Sequence, residues 1–146
     1  MQESLPYMRA AIEQARKGST PFGCVIVKKD AVVVSAHNTV SQDQDVTAHA
    51  EINALRRLHA QKKKTDLSGY MLYTTCEPCP MCMAAILYAG ISTVVYGASI
   101  TQAKQYLPQI DISSPEVVAR SPLKALIIPG MLQAECIRLF EEFPQK

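Results

Sequence analysis

His49-Ala50-Glu51 and, further along the chain, Pro78-Cys79-Pro80-Met81-Cys82 are the two stretches that decide the fold and the chemistry of this sequence. One imidazole and two thiols are donors that zinc prefers, and three protein ligands leave the fourth position of a tetrahedral ion open. Zinc sites with an open position usually activate water. The pattern therefore predicts one catalytic Zn²⁺ per chain, held by His49, Cys79 and Cys82.

The spacing within each stretch favours a single metal site. Cys79 and Cys82 are three residues apart, so their sulfurs meet at the start of a helix if Pro80 occupies its first turn. Residues two apart on a helix point about 200° apart, so His49 must lie at or before the first turn of its own helix if it is to act together with Glu51. Glu51 is then the predicted catalytic base, which takes a proton from water.

Hydrophobic periodicity predicts an opening helix, a hairpin, and then alternating strands and helices. The predicted helices cover residues 5–18, 50–60, 80–89 and 131–143, and the predicted strands cover 24–27, 32–34, 70–74, 93–96 and 125–128. The last two strands are expected to be buried. This order predicts an α/β fold with a mixed sheet of five strands between helices, largely parallel in its second half. Residues 102–122 are the least predictable part.

The length and composition of the chain exclude several classes of protein. A length of 146 residues predicts one domain, residues 1–146, with one sizeable core. The net charge of +2, and a longest like-charged run of Lys62-Lys63-Lys64, do not require a nucleic-acid or membrane partner. No signal peptide or membrane span is recognisable. Five cysteines, two of them assigned to a metal, argue against a disulfide framework, so we expect a soluble, cytoplasmic protein.

Two other interpretations of the cysteines remain open. Cys76 lies three residues before Cys79, so it would complete a closed, structural four-ligand zinc site together with the other three ligands. Against this, Pro78 favours extended geometry at Glu77, which places Cys76 at a strand end, roughly 10 Å of chain from Cys79. A thioredoxin-like redox pair is the second alternative, but it leaves the imidazole and the carboxylate of the first stretch unexplained.

Further stretches around the two motifs carry a family resemblance that spans roughly residues 5 to 98. They are Pro21-Phe22-Gly23-Cys24-Val25-Ile26-Val27, Asn38, Thr47-Ala48-His49-Ala50-Glu51-Ile52 and Leu72-Tyr73-Thr74-Thr75-Cys76-Glu77-Pro78-Cys79-Pro80-Met81-Cys82. Together they resemble the cytidine deaminase superfamily, and within it most closely the guanine deaminases, with tRNA-specific adenosine deaminases a close second. The resemblance implies a three-layer α/β/α sandwich, zinc, dimerisation and hydrolytic release of ammonia from an amino-substituted base, nucleoside or related heterocycle.

The same resemblance assigns roles to individual residues. It implies zinc ligation by His49, Cys79 and Cys82, proton transfer by Glu51, and a substrate contact by Asn38. Phe22, Ala50 and Asp111 are further candidate substrate contacts. Asn38 has the alternative of bonding its own loop, and Phe22 that of filling the core. Asp111 is what remains near the acidic pair that guanine deaminases carry in this region, and the Lys-Thr-Gly and Gly-Ser-Leu stretches of the tRNA enzymes are absent. The favoured function is therefore deamination of a small amino-heterocycle in the manner of guanine deaminases, with tRNA editing and a non-catalytic zinc module as alternatives.

The predicted helix that follows Pro80 bears on oligomeric state. Its residues from Met81 to Ala89 are apolar around most of the circumference, so one chain is not expected to cover them. A homodimer interface would do so, and complete burial within one chain is the alternative. Nucleic-acid binding is possible but not favoured, because aromatic residues are not interleaved with the basic residues around Lys62-Lys63-Lys64.

Overall fold

A computed structural model describes residues 4–145 of the chain. Its secondary structure follows the predicted order of a helix, a hairpin, and then alternating helices and strands. The elements are α1 (Leu5–Gly18), β1 (Gly23–Lys28), β2 (Ala31–His37), α2 (Val40–Asp43), α3 (Ala50–Lys62), β3 (Met71–Cys76), α4 (Pro80–Ala89), β4 (Thr93–Ala98), α5 (Ile100–Ala103), α6 (Ser114–Ala119), β5 (Leu126–Ile128) and α7 (Gln133–Glu142).

The five strands form one mixed sheet in the order β2-β1-β3-β4-β5. β1 is antiparallel to both of its neighbours, whereas β3, β4 and β5 are parallel to one another. β3 and β4 are joined by α4, which gives the strand-helix-strand crossover that parallel neighbours require. The predicted mixed sheet, antiparallel first and parallel in its second half, is therefore confirmed.

Both faces of the sheet are covered by helices. Cys24 and Ile26 of β1 belong to the apolar cluster on the α3 and α4 side, while Val25 and Val27 belong to the cluster on the α1 and α7 side. Successive side chains of a strand point to opposite faces, so a strand buried on both faces is apolar throughout rather than alternating. The three-layer α/β/α sandwich implied by the resemblance is confirmed.

Individual residues account for the hairpin turn and for the end of the first helix. Lys29 and Asp30 both have positive φ, 50° and 63°, which is typical of a two-residue hairpin turn. Gly18 is the last residue of α1, but the left-handed capping residue is Ser19, at φ 54°. A Cβ atom on Gly18 would lie 2.5 Å from the ring Nδ1 of His37, so close packing against β2 is what requires glycine here.

Two predicted elements of the C-terminal third differ from the structure. The strand predicted at residues 125–128 is β5, which covers Leu126–Ile128 and is not buried, since Leu126 is 61% exposed. β5 is an edge strand that pairs only with β4, so part of it faces solvent. The last helix begins at Gln133 rather than at Met131, because Leu132 is left-handed at φ 51°.

The fold brings the two sequence stretches to one edge of the sheet. β3 ends at Cys76 and α4 begins at Pro80, so the second stretch lies at the carboxyl end of a parallel strand, where ligand sites of such sheets usually lie. α3 packs against α4 and brings the first stretch beside it. None of the helices formed by residues 4–145 has both the length and the apolar character of a membrane span.

Candidate active site

His49 is the residue that caps the N-terminus of α3. Its backbone is extended, with φ −67° and ψ 159°, so its side chain leaves the chain before the helix begins, and Glu51 lies in the first turn. This is the arrangement that two residues so close in sequence need to act on one site. The sequence argument that His49 must lie at or before the first turn is confirmed.

The loop before His49 is held by an asparagine that the sequence analysis missed. The side-chain amide of Asn53 donates to the backbone carbonyls of His37 (2.9 Å) and Ala48 (3.3 Å) and to the hydroxyl of Thr39 (2.9 Å). Asn53 therefore ties the end of β2 to the residue that precedes His49. No sequence signal distinguishes it from any other asparagine on a helix.

Cys79 and Cys82 occupy the start of α4. Cys79 is the capping residue, with φ −65° and ψ 168°, and Pro80 stands at the first helical positions, as predicted. Cys82 lies one turn further on and is buried. The free N–H groups and the partial positive charge of a helix N-terminus favour thiolates at these positions.

The three predicted ligand side chains converge. The Nδ1 atom of His49 lies 3.6 Å from the Sγ atom of Cys79 and 3.5 Å from the Sγ atom of Cys82. In tetrahedral zinc sites, Zn–N bonds of about 2.0–2.1 Å and Zn–S bonds of about 2.3 Å separate the nitrogen and sulfur ligands by roughly 3.5 Å. The separation already present therefore fits one zinc ion.

Cys76 does not join this group. Among residues 4–145, His49, Cys79 and Cys82 form the single group of three or more potential metal ligands whose ligand atoms all lie within 4.8 Å of one another. Cys76 is the last residue of β3, the strand-end position that the sequence predicts for it. A closed site of four protein ligands is thus not formed, and the set of three leaves room for a water molecule.

Proton affinities of the three ligands reflect how closely they are packed. The hydrogen bond from Cys82 lowers the pKa of Cys79 to about 4, and acting as that donor raises the pKa of Cys82. The hydrogen bond with Cys79 raises the pKa of His49. One thiolate thus already has two proton donors directed at it, and a divalent cation would take the place of those protons.

Glu51 is a buried carboxyl group beside the ligands. It is 6% exposed, and burial, together with the negative charge of Cys79, raises its pKa to about 7. A carboxyl group with a pKa close to neutral takes up and releases protons with similar ease. This is the property that one residue needs to serve first as base and then as acid.

A cavity of about 390 Å³ opens onto Glu51 and the metal ligands. Its walls combine residues of the β1 and β2 ends with residues of the segment that follows α5 and with the C-terminal end. The lining residues are Phe22, Asn38, Val40, Ser41, His49, Glu51, Cys76, Glu77, Cys79, Leu107, Pro108, Gln109, Ile110 and Gln145. Its volume falls in the range of roughly 300–1,000 Å³ that is typical of small-molecule sites.

Two of the four predicted substrate contacts lie in this cavity. Asn38 lines it and also accepts a hydrogen bond from the N–H of Val40 through Oδ1 (3.1 Å), so both of its alternative roles coexist in one side chain. Phe22 lines it and packs edge-on against Phe140, with ring centroids 5.6 Å apart. The hydrogen bond of Asn38 orients its amide, and the contact with Phe140 supports the ring of Phe22.

The other two residues predicted to contact substrate, Ala50 and Asp111, are not among the residues that line this cavity. Ala50 is fully buried in the core between the sheet and α3 and is not a lining residue. The Asp111 side chain is 71% exposed and pairs with Lys104 at 3.0 Å. The irregular chain after α5 directs Leu107–Ile110 towards the cavity and turns Asp111 to solvent, which sequence spacing could not indicate.

Four polar residues of the cavity wall were not predicted as site residues, namely Ser41, Glu77, Gln109 and Gln145. Gln109 and Gln145 bring amides from the segment after α5 and from the C-terminal end, and Glu77 brings a carboxylate from the metal-site loop. For the two glutamines, no periodicity or motif gives a signal. Glu77 had one, because a charged residue directly between a buried strand and a metal ligand needs hydrogen-bond partners.

A three-layer α/β/α fold with a histidine, two cysteines and a glutamate gathered at one sheet edge defines a zinc-type deaminase. A sequence model of the cytidine and deoxycytidylate deaminase zinc-binding region matches residues 1–98. The chain belongs to the cytidine and deoxycytidylate deaminase family. It is accordingly an enzyme that acts on C–N bonds.

Relatives with three different substrates are similar to this chain. It is 36% identical over 147 residues to a probable cytosine deaminase of Schizosaccharomyces pombe, covering 93% of this chain and 89% of the relative. It is 44% identical over 85 residues to guanine deaminase of Bacillus subtilis, covering 58% of this chain and 54% of the relative. A structure from a study of A-to-I editing by tRNA:A34 deaminases matches with a TM-score of 0.80 and 28% identity, covering 92% of this chain and 98% of the other.

Proposed function

We propose that this protein hydrolytically deaminates a small, unphosphorylated amino-heterocycle, either a free base or a nucleoside, with guanine deaminase-like activity preferred. The observation that carries the proposal is the buried carboxyl group of Glu51 beside a three-ligand metal set at the base of a cavity. A non-catalytic zinc module would have no need for such a carboxyl group, since burying it is costly unless it is used or paired.

The residues at the base of the cavity divide the chemistry between them. His49, Cys79 and Cys82 would hold Zn²⁺, which when bound supplies a Lewis acid that makes water a strong nucleophile at neutral pH. Glu51 accepts a proton from the attacking water and passes protons to the ring nitrogen and then to the amino group. The C–N bond breaks, ammonia leaves, and the ring carbon keeps the oxygen of water as a carbonyl.

The wall of the cavity supports a neutral substrate. Of the described residues that line it, none is lysine or arginine, the side chains that bind phosphate most often. The amides of Asn38, Gln109 and Gln145 combine donors and acceptors, which suits the polar edge of an uncharged ring. Phe22 and Ile110 provide apolar surface for its faces.

Editing of tRNA is the second candidate, because the likeness to a tRNA:A34 deaminase structure covers nearly the whole chain. Recognition of tRNA needs phosphate contacts, so binding should weaken steeply with salt. Titration of labelled tRNA at about 50 and 200 mM salt tests this candidate. Binding that is absent, or that does not change with salt, would remove it.

A panel of compounds tests the proposed reaction. Zinc-loaded protein is incubated with guanine, adenine, cytosine, their nucleosides and their nucleotides, and ammonia release is measured. A Glu51→Gln protein prepared in parallel reports any ammonia that contaminating deaminases contribute. Turnover of a base or nucleoside by the unsubstituted protein alone is expected, and turnover restricted to nucleotides would contradict the proposed substrate class.

We further propose that the protein works as a homodimer formed through α4, as the resemblance implies. Tyr88 of α4 is 83% exposed, and an apolar cavity of about 540 Å³, which none of the three predicted metal ligands lines, lies beside it between α4 and α6. Covering such a surface with a second copy would remove it from water. Tyr88→Glu should yield a monomer in sedimentation velocity experiments, whereas a monomeric unsubstituted protein would contradict the proposal.

The cysteines bear on the proposed location. All five lie within the described residues and are unpaired. Cys24 and Cys136 are fully buried in the two core clusters. Unpaired thiols persist in reducing compartments, which supports the proposal that the protein acts in the cytoplasm.

A further inference from the structure

Glu77 is a buried carboxylate that the proposed reaction does not use. It is 5% exposed and stands between the end of β3 and the metal ligand Cys79. Its Oε1 atom accepts a hydrogen bond from the N–H of Ile100 (2.9 Å). Its Oε2 atom accepts from the N–H (2.7 Å) and from the hydroxyl (2.8 Å) of Ser114. One side chain thus receives three hydrogen bonds, all from outside its own loop.

The two partners of Glu77 bracket an irregular segment of the chain. Ile100 is the first residue of α5 and Ser114 the first residue of α6, so residues 101–113 run between two points that are attached to the same carboxylate. Four residues of that segment, Leu107, Pro108, Gln109 and Ile110, line the cavity. The segment is attached elsewhere through Tyr106, which stacks on Phe140 and donates to Glu141.

We propose that Glu77 is a positioning residue that fastens both ends of the cavity-wall segment, residues 101–113, to the metal-site loop, so that the wall stands at a fixed distance from the metal ligands. The carboxylate is suited to this task because all of its lone pairs accept. Each end of the segment is held by a charge-assisted hydrogen bond, and such bonds are roughly twice as strong as neutral ones.

Glu77→Gln tests the proposal with almost no change in shape. An amide group has one oxygen and one NH₂ group, so it can accept at one end of the segment only, and at the other end it opposes a donor with a donor. Glu13→Gln is the matched control, because Glu13 is an exposed carboxylate of α1, outside the segment and outside the two helices whose first residues bond to Glu77. The control should behave like the unsubstituted protein.

Amide hydrogen exchange of the zinc-loaded protein, measured by NMR, gives a readout that does not depend on catalysis. In Glu77→Gln the amides of Ile100, Ser114 or both should exchange at least about tenfold faster, the effect of losing a charge-assisted hydrogen bond. The amide of Leu72, in the centre of the sheet, should keep its rate, and bound zinc should stay at the level of the unsubstituted protein. Unchanged exchange at both positions, or loss of zinc, would overturn the proposal.

The kinetic part of the test rests on the proposed function. With the best compound of the substrate panel, Glu77→Gln should raise KM by about tenfold and leave kcat within about threefold, since the wall contacts substrate and Glu51 is untouched. A fall in kcat with KM unchanged would overturn the assignment to the cavity wall. If no compound is turned over by the unsubstituted protein, the proposed function fails, while the exchange result still decides whether Glu77 fastens the segment.

Ser114→Ala provides a second variant in case Glu77→Gln does not fold. It removes the hydroxyl donor and keeps the N–H, so Glu77 loses one of its three hydrogen bonds. The amide at position 114 should exchange about two- to threefold faster, and KM should rise by about two- to threefold, because the perturbation is weaker than in Glu77→Gln. Values equal to those of the unsubstituted protein in both measurements would overturn the proposal.

Discussion

The metal-site edge, residues 49–51 and 76–82, and the cavity-wall segment, residues 101–113, face the same cavity but are built differently. The metal ligands stand at the starts of α3 and α4, helices of 13 and 10 residues that pack on the sheet and on each other. The wall begins within α5 and ends just before α6, helices of 4 and 6 residues, and it is mostly irregular. The proposed reaction chemistry therefore rests on regular structure, and a large part of the proposed substrate contact rests on a loop.

This difference has a physical basis. Groups that move protons must stay within hydrogen-bond distance of the reacting atoms, and helix starts packed on a sheet provide that precision. A loop can change its residues without disturbing the core, so selectivity can vary while the reaction stays the same. The similarity of this chain to a probable cytosine deaminase, a guanine deaminase and a tRNA:A34 deaminase structure fits such a division.

The largest expected effect comes from removing a metal ligand. Cys79→Ser should lose bound zinc and all measurable ammonia release, and zinc present at about a thousand times its dissociation constant would otherwise contribute about 4 kcal/mol to stability. Metal analysis and thermal unfolding, with an expected decrease in Tm of about 10 °C, check this. Cys24→Ala is the control, a fully buried thiol outside the ligand group. A Cys79→Ser protein that keeps its zinc would show that the metal-site edge does not hold the metal through Cys79, which contradicts the role given to that region.

The next largest effect should come from Glu51→Gln. Loss of a general acid and base should lower kcat by about 10² to 10⁴, while zinc content and Tm stay close to those of the unsubstituted protein. Steady-state ammonia release and metal analysis measure both. Glu13→Gln, an exposed carboxylate of α1, is the control. Turnover that survives in Glu51→Gln would mean that the proton carrier lies elsewhere.

A smaller effect is expected in the cavity wall. Gln109→Ala should raise KM by about two- to tenfold, as expected for one neutral hydrogen bond, with kcat nearly unchanged. Asp111→Asn is the matched control two residues away. Because Asp111 is exposed and paired with Lys104, the KM of this variant should stay within about twofold of that of the unsubstituted protein. The reverse pattern would restore Asp111 as a candidate substrate contact.

The metal site was predictable because local structure defines each ligand. The proline after Cys79, together with the spacing of three residues to Cys82, requires that a helix begin there, which is α4. The spacing of two residues between His49 and Glu51 likewise requires that a helix begin at the first stretch, which is α3. The strands of the sheet were predictable from short apolar runs, because strands covered on both faces are apolar at nearly every position, as in β1 and β4. The same argument failed for β5, because an apolar run does not reveal that a strand lies at an edge.

The cavity wall was not predictable because its contacts join distant parts of the chain. Glu77 bonds to residues 23 and 37 positions away, and neither Ile100 nor Ser114 carries a motif. Asp111 was chosen by its position in the sequence, yet an irregular backbone does not keep a regular direction for its side chains. Asn53 is similar, since only the three-dimensional structure shows its amide reaching the end of β2.

X-ray absorption spectroscopy of the zinc-loaded protein tests the central claim most directly, because it counts the sulfur ligands of the metal. The three-ligand arrangement of His49, Cys79 and Cys82 predicts two sulfurs at about 2.3 Å and two nitrogen or oxygen donors at about 2.0–2.1 Å. Three sulfurs would place Cys76 on the metal, close the site to water, and contradict the account of this protein as a deaminase.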